Sequence, residues 1–191
     1  MSSVDLGALL ERSGAILKGH FVLTSGRHSD TYFEKFRVLE RPEVLSALCA
    51  EIAGHYRGSG IDLVAGPTTG GIIIAFEVAR QLGVPALYVE SENGRKTLRR
   101  GATVPQGATA LVVDDVLTTG LSVREVTDLL REQGATVAGV GVLIDRAETP
   151  PDFGAPLFAA YRVSAASYAP DEVPDALARV PIQKPGTRPQ P

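Results

Sequence analysis

A run of acidic and hydroxyl-bearing residues directly after an apolar stretch constrains this chain more than any other feature. Residues 111–122 read Leu-Val-Val-Asp-Asp-Val-Leu-Thr-Thr-Gly-Leu-Ser, and their apolar start is typical of a strand buried in a parallel sheet. Ser122, with Glu125 three residues later, predicts a capping box at a helix start, where unpaired amides favour an anion. Ionised Asp114 and Asp115 can only accept hydrogen bonds, which suits paired ribose hydroxyls. The segment therefore predicts a site for a phosphorylated ribose.

Each part of this segment also has an ordinary structural explanation. Asp-Asp, Thr-Gly and a serine cap are common in turns, so residues 111–122 could be a strand, a turn and a helix with two solvated acids. The order of these parts is far rarer than the parts themselves, which favours the binding site. Other phosphate motifs fit poorly, because the chain has no Gly-Lys-Ser/Thr of a P-loop and no Gly-x-Gly-x-x-Gly after a predicted strand.

Residues 111–122 resemble the 5-phosphoribosyl-1-pyrophosphate (PRPP) motif of the type I phosphoribosyltransferases. The resemblance implies that the acidic pair binds the ribose hydroxyls and that the following loop binds the 5-phosphate. The expected PRPP contacts here are Asp114, Asp115, Val116, Leu117, Thr118, Thr119, Gly120, Leu121 and Ser122. Asp114 and Asp115 are also the expected catalytic residues, since their charge would favour a cationic sugar. Magnesium is the expected cofactor, with no dedicated protein site, carried by PRPP near Asp114 and Asp115.

A second resemblance lies at residues 19–33, which read Gly-His-Phe-Val-Leu-Thr-Ser-Gly-Arg-His-Ser-Asp-Thr-Tyr-Phe. They resemble the N-terminal signature of the orotate phosphoribosyltransferases, which implies that this segment folds over the base. Leu-Ile-Asp-Arg at 143–146 matches the family's orotate-binding arginine, and an arginine fork suits a carboxylated pyrimidine. The expected orotate contacts are Thr118, Arg146, Ser25, Gly26, Tyr32 and Phe33. Two plainer alternatives stay open: the aromatic pair could be core, and the arginine could be a surface ion-pair partner.

Residues 64–71, Val-Ala-Gly-Pro-Thr-Thr-Gly-Gly, repeat the order of strand, glycine-rich loop and helix. Gly70 and Gly71 permit close approach of the backbone to a ligand, and the helix start supplies unpaired amides. The resemblance implies that this loop binds pyrophosphate through Thr68, Thr69 and Gly70. Alone, such a turn is more often structural.

Residues 90–101 are polar and lie between two predicted strands, so we expect a mobile loop or a hairpin. Its cations are Arg95, Lys96, Arg99 and Arg100. In orotate phosphoribosyltransferases such a loop reaches into the neighbouring subunit's active site, so the resemblance implies a homodimer with lid loop 91–101 shared across subunits. Arg95, Lys96 and Arg99 are the expected pyrophosphate contacts, with Lys96 as the catalytic cation. The alternative is a solvated basic loop.

The chain departs from the family pattern in its basic residues. No histidine follows His55, Gly70 stands where the pyrophosphate loop often has a lysine, and Thr24 stands where the N-terminal signature often has one. Two explanations stay open: a shorter-looped branch of the family, or a non-catalytic PRPP-binding relative.

Strand and helix patterns alternate over most of the chain, which predicts right-handed βαβ units and a mainly parallel sheet flanked by helices. The predicted helices are 4–17, 44–56, 72–82 and 123–133, and a helical turn is expected at 173–180. The predicted strands are 31–36, 63–65, 86–89, 110–113, 136–144 and 157–163. We expect the type I phosphoribosyltransferase fold with a small hood built from the N-terminal and C-terminal segments. The expected organisation is one domain over 1–191, with helix and hood at 1–40, α/β core at 60–165 and a Pro-rich tail at 166–191.

Composition excludes several other classes of protein. The chain has 191 residues, 44% hydrophobic and 21% charged, as in ordinary globular proteins. Its net charge of -3 argues against nucleic acid as a partner. Cys49, the one cysteine, lies in a predicted amphipathic helix and is expected to be a buried free thiol. No apolar run approaches the ~20 residues of a membrane span and the start is no signal peptide, so we expect a cytoplasmic protein with no membrane partner.

These expectations together imply transfer of the 5-phosphoribosyl group from PRPP to orotate, giving orotidine 5'-monophosphate and pyrophosphate in pyrimidine (UMP) biosynthesis. Two alternatives share the PRPP motif. One is a purine phosphoribosyltransferase, and the other is a PRPP-sensing regulator that binds nucleic acid through the basic loop.

Overall fold

The structure is a computed structural model that describes residues 5–23, 25–147, 149–163 and 166–183. The helices are α1 (Leu6–Ser13), α2 (Phe36–Leu39), α3 (Pro42–Tyr56), α4 (Gly70–Leu82), α5 (Leu121–Glu132) and α6 (Asp175–Ala178). The strands are β1 (Ile16–Val22), β2 (His28–Phe33), β3 (Leu63–Pro67), β4 (Ala86–Glu92), β5 (Arg95–Thr97), β6 (Thr109–Leu117), β7 (Thr136–Asp145), β8 (Leu157–Arg162), β9 (Ser167–Tyr168) and β10 (Ile182–Gln183). The chain divides into two compact units, Leu45–Arg162 and Met1–Val44 with Val163–Pro191. The expectation of one domain stays a prediction.

The unit Leu45–Arg162 is built on a six-stranded sheet in the order β5-β4-β3-β6-β7-β8. Pairing is parallel from β4 to β8, and only β5 is antiparallel to its neighbour β4. Every residue of β3 is buried, as expected for a strand covered on both faces. The mainly parallel sheet predicted from the alternating pattern is therefore confirmed. Parallel pairing also brings the carboxyl ends of β3, β6 and β7 to one edge of the sheet.

The other unit contains a four-stranded sheet in the order β10-β1-β2-β9. Its central pair, β1 and β2, is antiparallel, and β10 pairs in parallel with the outer side of β1. Arg27 holds the C-terminal segment in place, because its side chain donates to the hydroxyl and the carbonyl of Ser167, both at 2.7 Å. The N-terminal and C-terminal segments thus form one small sheet, as predicted for the hood.

Several predicted boundaries in this unit are wrong. The helix expected over 4–17 ends at Ser13, because Gly14 adopts a φ of 75° and its amide bonds back to the last turn. Leu17, the last residue of the predicted helix, lies in β1 instead. The strand expected at 31–36 is β2, which ends at Phe33, and Phe36 begins α2. The described part of the Pro-rich tail contains β9, α6 and β10, and α6 lies within the helical turn expected at 173–180.

The strand that carries the acidic pair is longer than predicted. The strand expected to stop at Val113 continues to Leu117, so both aspartates lie within β6. The capping box expected at Ser122 does not form: α5 begins at Leu121, its N-cap is Gly120 with a φ of 75°, and no side-chain bond caps it. Gly134, with a φ of 86°, follows the C-cap of α5 and confirms the predicted stop.

Candidate active site

Asp114 and Asp115 lie near the end of β6, with their side chains bonded to the strand's own amides. The amide of Asp115 donates to Oδ1 of Asp114 at 2.8 Å, and the amide of Val116 donates to Oδ1 of Asp115 at 2.7 Å. Asp114 is half-buried, whereas Asp115 is 9% exposed. Hydrogen bonds from backbone amides limit the rotation of a carboxylate. The pair can therefore present fixed acceptors to a diol.

Gly70 joins the acidic pair to the loop after β3. A Cβ at Gly70 would overlap Oδ2 of Asp115 and lie 3.1 Å from its Cγ. Gly66 and Gly71 are similarly close, since a Cβ on Gly66 would overlap the Gly71 carbonyl. Any side chain at position 70 would therefore have to displace the Asp115 carboxylate. The first loop and the acidic pair thus form one continuous surface.

Thr68 and Thr69 lie exposed at the tip of this first loop and are joined by a cis peptide bond. The amide of Thr68 donates to the carbonyl of Val89 at 2.9 Å, which fixes the loop to β4. Thr69 is the N-cap of α4 and makes no side-chain capping bond. Its hydroxyl and the first amides of α4 are the kind of donors that bind phosphate oxygens.

The loop after β6 places Thr118 and Thr119 on the surface and Gly120 in a buried position. Oγ1 of Thr119 accepts a long hydrogen bond of 3.5 Å from the amide of Leu121. Leu121, at the start of α5, is 62% exposed. Hydroxyls next to a helix N-terminus can bind an anion such as phosphate.

Arg146 follows β7 at the same edge of the sheet. Its amide donates to the carbonyl of Leu117 at 2.9 Å, which places its backbone beside the start of the Thr118 loop. Asp145, only 6% exposed, accepts from the amide of Ala147 at 3.0 Å and pairs with Arg162 at 3.4 Å. The structure therefore brings two expected orotate contacts, Thr118 and Arg146, to neighbouring strand ends.

The basic segment forms a hairpin, one of the two forms expected for it. Asn93 and Gly94 have φ values of 50° and 77°, as in the tight turns that join antiparallel strands. Lys96 points inward: its side chain is 9% exposed, donates to Oγ of Ser91 at 2.9 Å and lies 3.8 Å from Oε2 of Glu125. The contact with Glu125 was not predicted from the sequence, because Lys96 and Glu125 lie in separate elements, β5 and α5.

The other cations of the hairpin differ from Lys96. Arg99 pairs with Glu90 at 3.2 Å and with Glu92 at 3.9 Å, and its side chain is 51% exposed. Arg95 is exposed near the turn. A role in pyrophosphate binding would require Lys96 and Arg99 to exchange protein carboxylates for phosphate oxygens.

The expected base-binding residues of the hood lie in the other unit. Ser25 and Gly26 form an exposed turn between β1 and β2, and the amide of Gly26 donates to the carbonyl of Leu23 at 2.8 Å. Tyr32 is half-buried, whereas Phe33 is 6% exposed, because neighbouring strand residues face opposite sides. A planar base can therefore stack on only one of these two rings. Thr24 lies outside the described residues.

Cys49 is buried and not in a disulfide, as predicted. Burial, with a smaller effect of the charge on Glu77, raises the pKa of its thiol to about 12. A thiol with so high a pKa is not a nucleophile near neutral pH.

Within residues 5–23, 25–147, 149–163 and 166–183, no group of three or more His, Cys, Asp or Glu side chains could hold a metal ion. In that same part of the chain, no helix has the length and apolar character needed to cross a membrane.

Comparison with known proteins gives consistent matches. Residues 39–153 match the model of the phosphoribosyl transferase domain. An orotate phosphoribosyltransferase of Pelotomaculum thermopropionicum is 47% identical over 98% of this chain and 99% of its own length. One of Chlorobium phaeobacteroides is 45% identical over 94% of this chain and 93% of its own.

Solved structures agree with these matches. The crystal structure of orotate phosphoribosyltransferase from Aeropyrum pernix has a TM-score of 0.69 at 31% identity, covering 83% of this chain and 93% of that one. Adenine phosphoribosyltransferase from Thermoanaerobacter pseudethanolicus has a TM-score of 0.59 at 18% identity, covering 70% of this chain and 88% of that one. The second likeness indicates a shared fold alone.

Proposed function

The chain belongs to the orotate phosphoribosyltransferase family, with the type I phosphoribosyltransferase fold, and we propose how its residues carry out the reaction. As a member of that family it is a phosphoribosyl-transferring enzyme. The reaction moves the 5-phosphoribosyl group from PRPP to orotate and releases pyrophosphate. The observation that supports the residue assignment is the close approach of Gly70 to the Asp115 carboxylate, since it joins the first loop to the acidic pair.

In this proposal Asp114 and Asp115 hold the ribose hydroxyls, and the loop Thr118, Thr119, Gly120, Leu121 and Ser122 holds the 5-phosphate. Val116 and Leu117, which join the acidic pair to this loop, contact PRPP through their backbone. A ring nitrogen of orotate attacks the anomeric carbon while the bond to pyrophosphate breaks, so positive charge develops on the sugar. Two carboxylates fixed by backbone amides stabilise that charge without reorganising. Much of the acceleration comes from positioning the two substrates.

Pyrophosphate is assigned to the first loop and the basic hairpin. Thr68, Thr69 and Gly70 offer hydroxyls and helix-start amides to its oxygens. Arg95, Lys96 and Arg99 supply positive charge to the leaving group, and Lys96 is the proposed catalytic cation. Because Lys96 contacts Glu125 in this structure, it must move before it reaches pyrophosphate.

Orotate is assigned to Arg146 and Thr118 at the sheet edge and to Ser25, Gly26, Tyr32 and Phe33 of the hood. The guanidinium fork of Arg146 suits the orotate carboxylate or ring oxygens. Of the aromatic pair, the half-buried Tyr32 has the more accessible ring.

Magnesium fits this site as a companion of PRPP. Asp114 and Asp115 provide carboxylate oxygens, the ligands that the ion prefers, and magnesium usually keeps several waters and takes few protein ligands. When bound, it would offset the negative charge of the pyrophosphate group. Asp114 and Asp115 would hold it while they orient the ribose.

The proposed assembly is a homodimer that shares lid loop 91–101 between its subunits. On α4, Ile73 and Phe76 lie one turn apart and are 42% and 63% exposed. Exposed apolar side chains on one helix face favour contact with another protein surface, here a second copy of the chain. We place the enzyme in the cytoplasm, acting on orotate and PRPP, with no nucleic acid or membrane partner.

A substrate panel tests this function. Orotate, adenine, hypoxanthine and xanthine are each offered with PRPP and magnesium, and pyrophosphate release is measured. We expect pyrophosphate release with orotate and with none of the three purines. Release only with a purine would replace it by a purine phosphoribosyltransferase. No release with any base, together with nucleic-acid binding in a fluorescence titration, would favour a PRPP-sensing regulator.

A further inference from the structure

The loop proposed to bind the 5-phosphate rests on a side chain far along the sequence. Gly120 is buried, and a Cβ there would lie 2.8 Å from both Cζ of Phe153 and Cγ of Pro151. Phe153 is itself only 3% exposed. The ring of Phe153 therefore sets how deep the backbone of Gly120 can lie.

The segment that carries Phe153 is anchored to α5. Nη2 of Arg131 donates to the carbonyl of Phe153 at 2.8 Å and to that of Gly154 at 3.0 Å. The guanidinium of Arg124 lies over the Phe153 ring, 5.8 Å from its centre. Within the segment, Asp152 accepts from the amide of Gly154 at 2.8 Å. These contacts tie both ends of α5 to the Phe153 segment.

Packing has to position this loop because capping does not. Gly120 is the N-cap of α5 and no side-chain bond caps the helix. The only side-chain bond that Thr119 is seen to make within the described chain is the 3.5 Å contact with Leu121. With such weak local bonds, the orientation of Thr118 and Thr119 depends on where Gly120 lies.

We propose that Phe153 is a positioning residue for the 5-phosphate loop, acting through Gly120 and held by Arg131. The inference rests on the proposed function for its ligand, since it assumes that residues 118–122 bind the 5-phosphate. Phe153 lies on the connection between β7 and β8. The first residue of this connection is Arg146. This connection therefore carries a proposed orotate contact at one end and the support of the phosphate loop at the other.

Binding of ribose 5-phosphate and of pyrophosphate, measured separately by calorimetry, tests the role of Phe153. In Phe153→Ala, ribose 5-phosphate binding should weaken by roughly tenfold to a hundredfold, because a small misplacement of a binding loop has effects of that size. Pyrophosphate binding should change less than about twofold, since a different loop is assigned to it. Phe153→Leu, which refills part of the space, should recover part of the loss. Arg131→Gln should give a smaller loss of the same kind.

Leu130→Ala is the matched control, because Leu130 is fully buried on the same helix but near its other end. It should lower the melting temperature and keep the affinity for ribose 5-phosphate. Wild-type affinity in both Phe153 variants, or an equal loss in Leu130→Ala, would overturn the inference. If Phe153→Ala does not fold, Phe153→Leu and Arg131→Gln decide the matter by the same comparison.

The proposed function can fail separately. Orotate-dependent pyrophosphate release by the wild-type enzyme tests that function, whereas the difference between variants tests Phe153. A wild-type chain that binds ribose 5-phosphate but does not use orotate would contradict the function and leave the Phe153 comparison decisive. A wild-type chain that binds no ribose 5-phosphate would overturn both.

Discussion

The loops after β3 and β6 have the same local order but use glycine for different reasons. Both follow paired parallel strands and precede a helix. On either side of the first loop, Gly66 in β3 and Gly70 and Gly71 at the start of α4 leave room for close neighbours, and one of these neighbours is Asp115. In the second loop, Gly120 is needed for a φ of 75° and rests on Phe153. The first loop is therefore coupled to the acidic pair, whereas the second is supported from outside the site.

The largest effect is expected when the acidic pair loses a charge. Asp115→Asn keeps the size of the side chain but removes a carboxylate that, in our proposal, stabilises a cationic sugar. Turnover should fall by about a hundredfold to a thousandfold, the range for loss of one preorganised electrostatic group. Initial rates of orotate-dependent pyrophosphate release measure it. A wild-type rate would remove Asp115 from the ribose site.

A methyl group at Gly70, beside the first loop, should lower turnover almost as much as Asp115→Asn, because it displaces the Asp115 carboxylate. Gly70→Ala would push the Asp115 carboxylate from its position, so kcat should fall by about a hundredfold. Gly54→Ala is the control, because a Cβ there meets nothing within 4 Å and Gly54 lies in α3. Equal kcat values for the two variants would mean that the contact with Asp115 does not matter.

A methyl group on the second loop should change binding rather than turnover. Gly120→Ala strains a left-handed backbone and presses on Phe153, at a cost of about 1–2 kcal/mol from the backbone alone. The KM for PRPP should rise about tenfold, with a smaller change in kcat. Steady-state kinetics with varied PRPP measures both values. If kcat of Gly120→Ala falls as far as kcat of Gly70→Ala, the second loop affects turnover as strongly as the first, and the proposed difference between the loops is wrong.

Two variants distinguish a direct contact between Lys96 and pyrophosphate from an effect of the ion pair between Lys96 and Glu125. Lys96→Met should lower kcat by roughly tenfold if the ammonium reaches the leaving group. Glu125→Gln, which removes only the negative charge beside Lys96, should leave kcat near the wild-type value. Similar losses in both variants would instead mean that Lys96 acts through its ion pair with α5.

The smallest effect concerns the helix after the first loop. Hydrogen bonds from Arg80, with others from Ser46 and Gln81, lower the pKa of Glu77 to about 2. A lowered pKa adds stability above the unfolded value of about 4.3, and this stability is lost as the pH falls toward 2. Glu77→Gln should therefore lower the free energy of unfolding by about 1 kcal/mol at pH 7.

Urea unfolding between pH 7 and pH 2 checks this linkage. The difference between wild type and Glu77→Gln should shrink below about pH 4.3. The exposed Glu132 provides the control, because Glu132→Gln should change stability little at any pH. A difference that does not depend on pH would contradict the assigned role of the Glu77 charge.

Local patterns predicted the parallel core, because strand, loop and helix signals there are short-range. The ribose contacts assigned to Asp114 and Asp115 stay a prediction, although both residues lie near the end of β6. The hood was harder: an apolar run that continued past Gly14 suggested a longer helix, although the glycine itself was a stop signal. The serine cap was wrong because Gly120, with its left-handed backbone, starts the helix earlier. The contacts between Lys96 and Glu125 and between Gly120 and Phe153 join distant parts of the chain. No local periodicity encodes them.

Titration of PRPP with magnesium into the wild-type chain and Asp115→Asn, followed by calorimetry, tests the central claim most directly. If the acidic pair and the two loops form one site, the wild-type chain binds one PRPP per chain and Asp115→Asn binds it far more weakly. Absence of binding to the wild-type chain, or equal affinity in the two proteins, would contradict the assignment of this site.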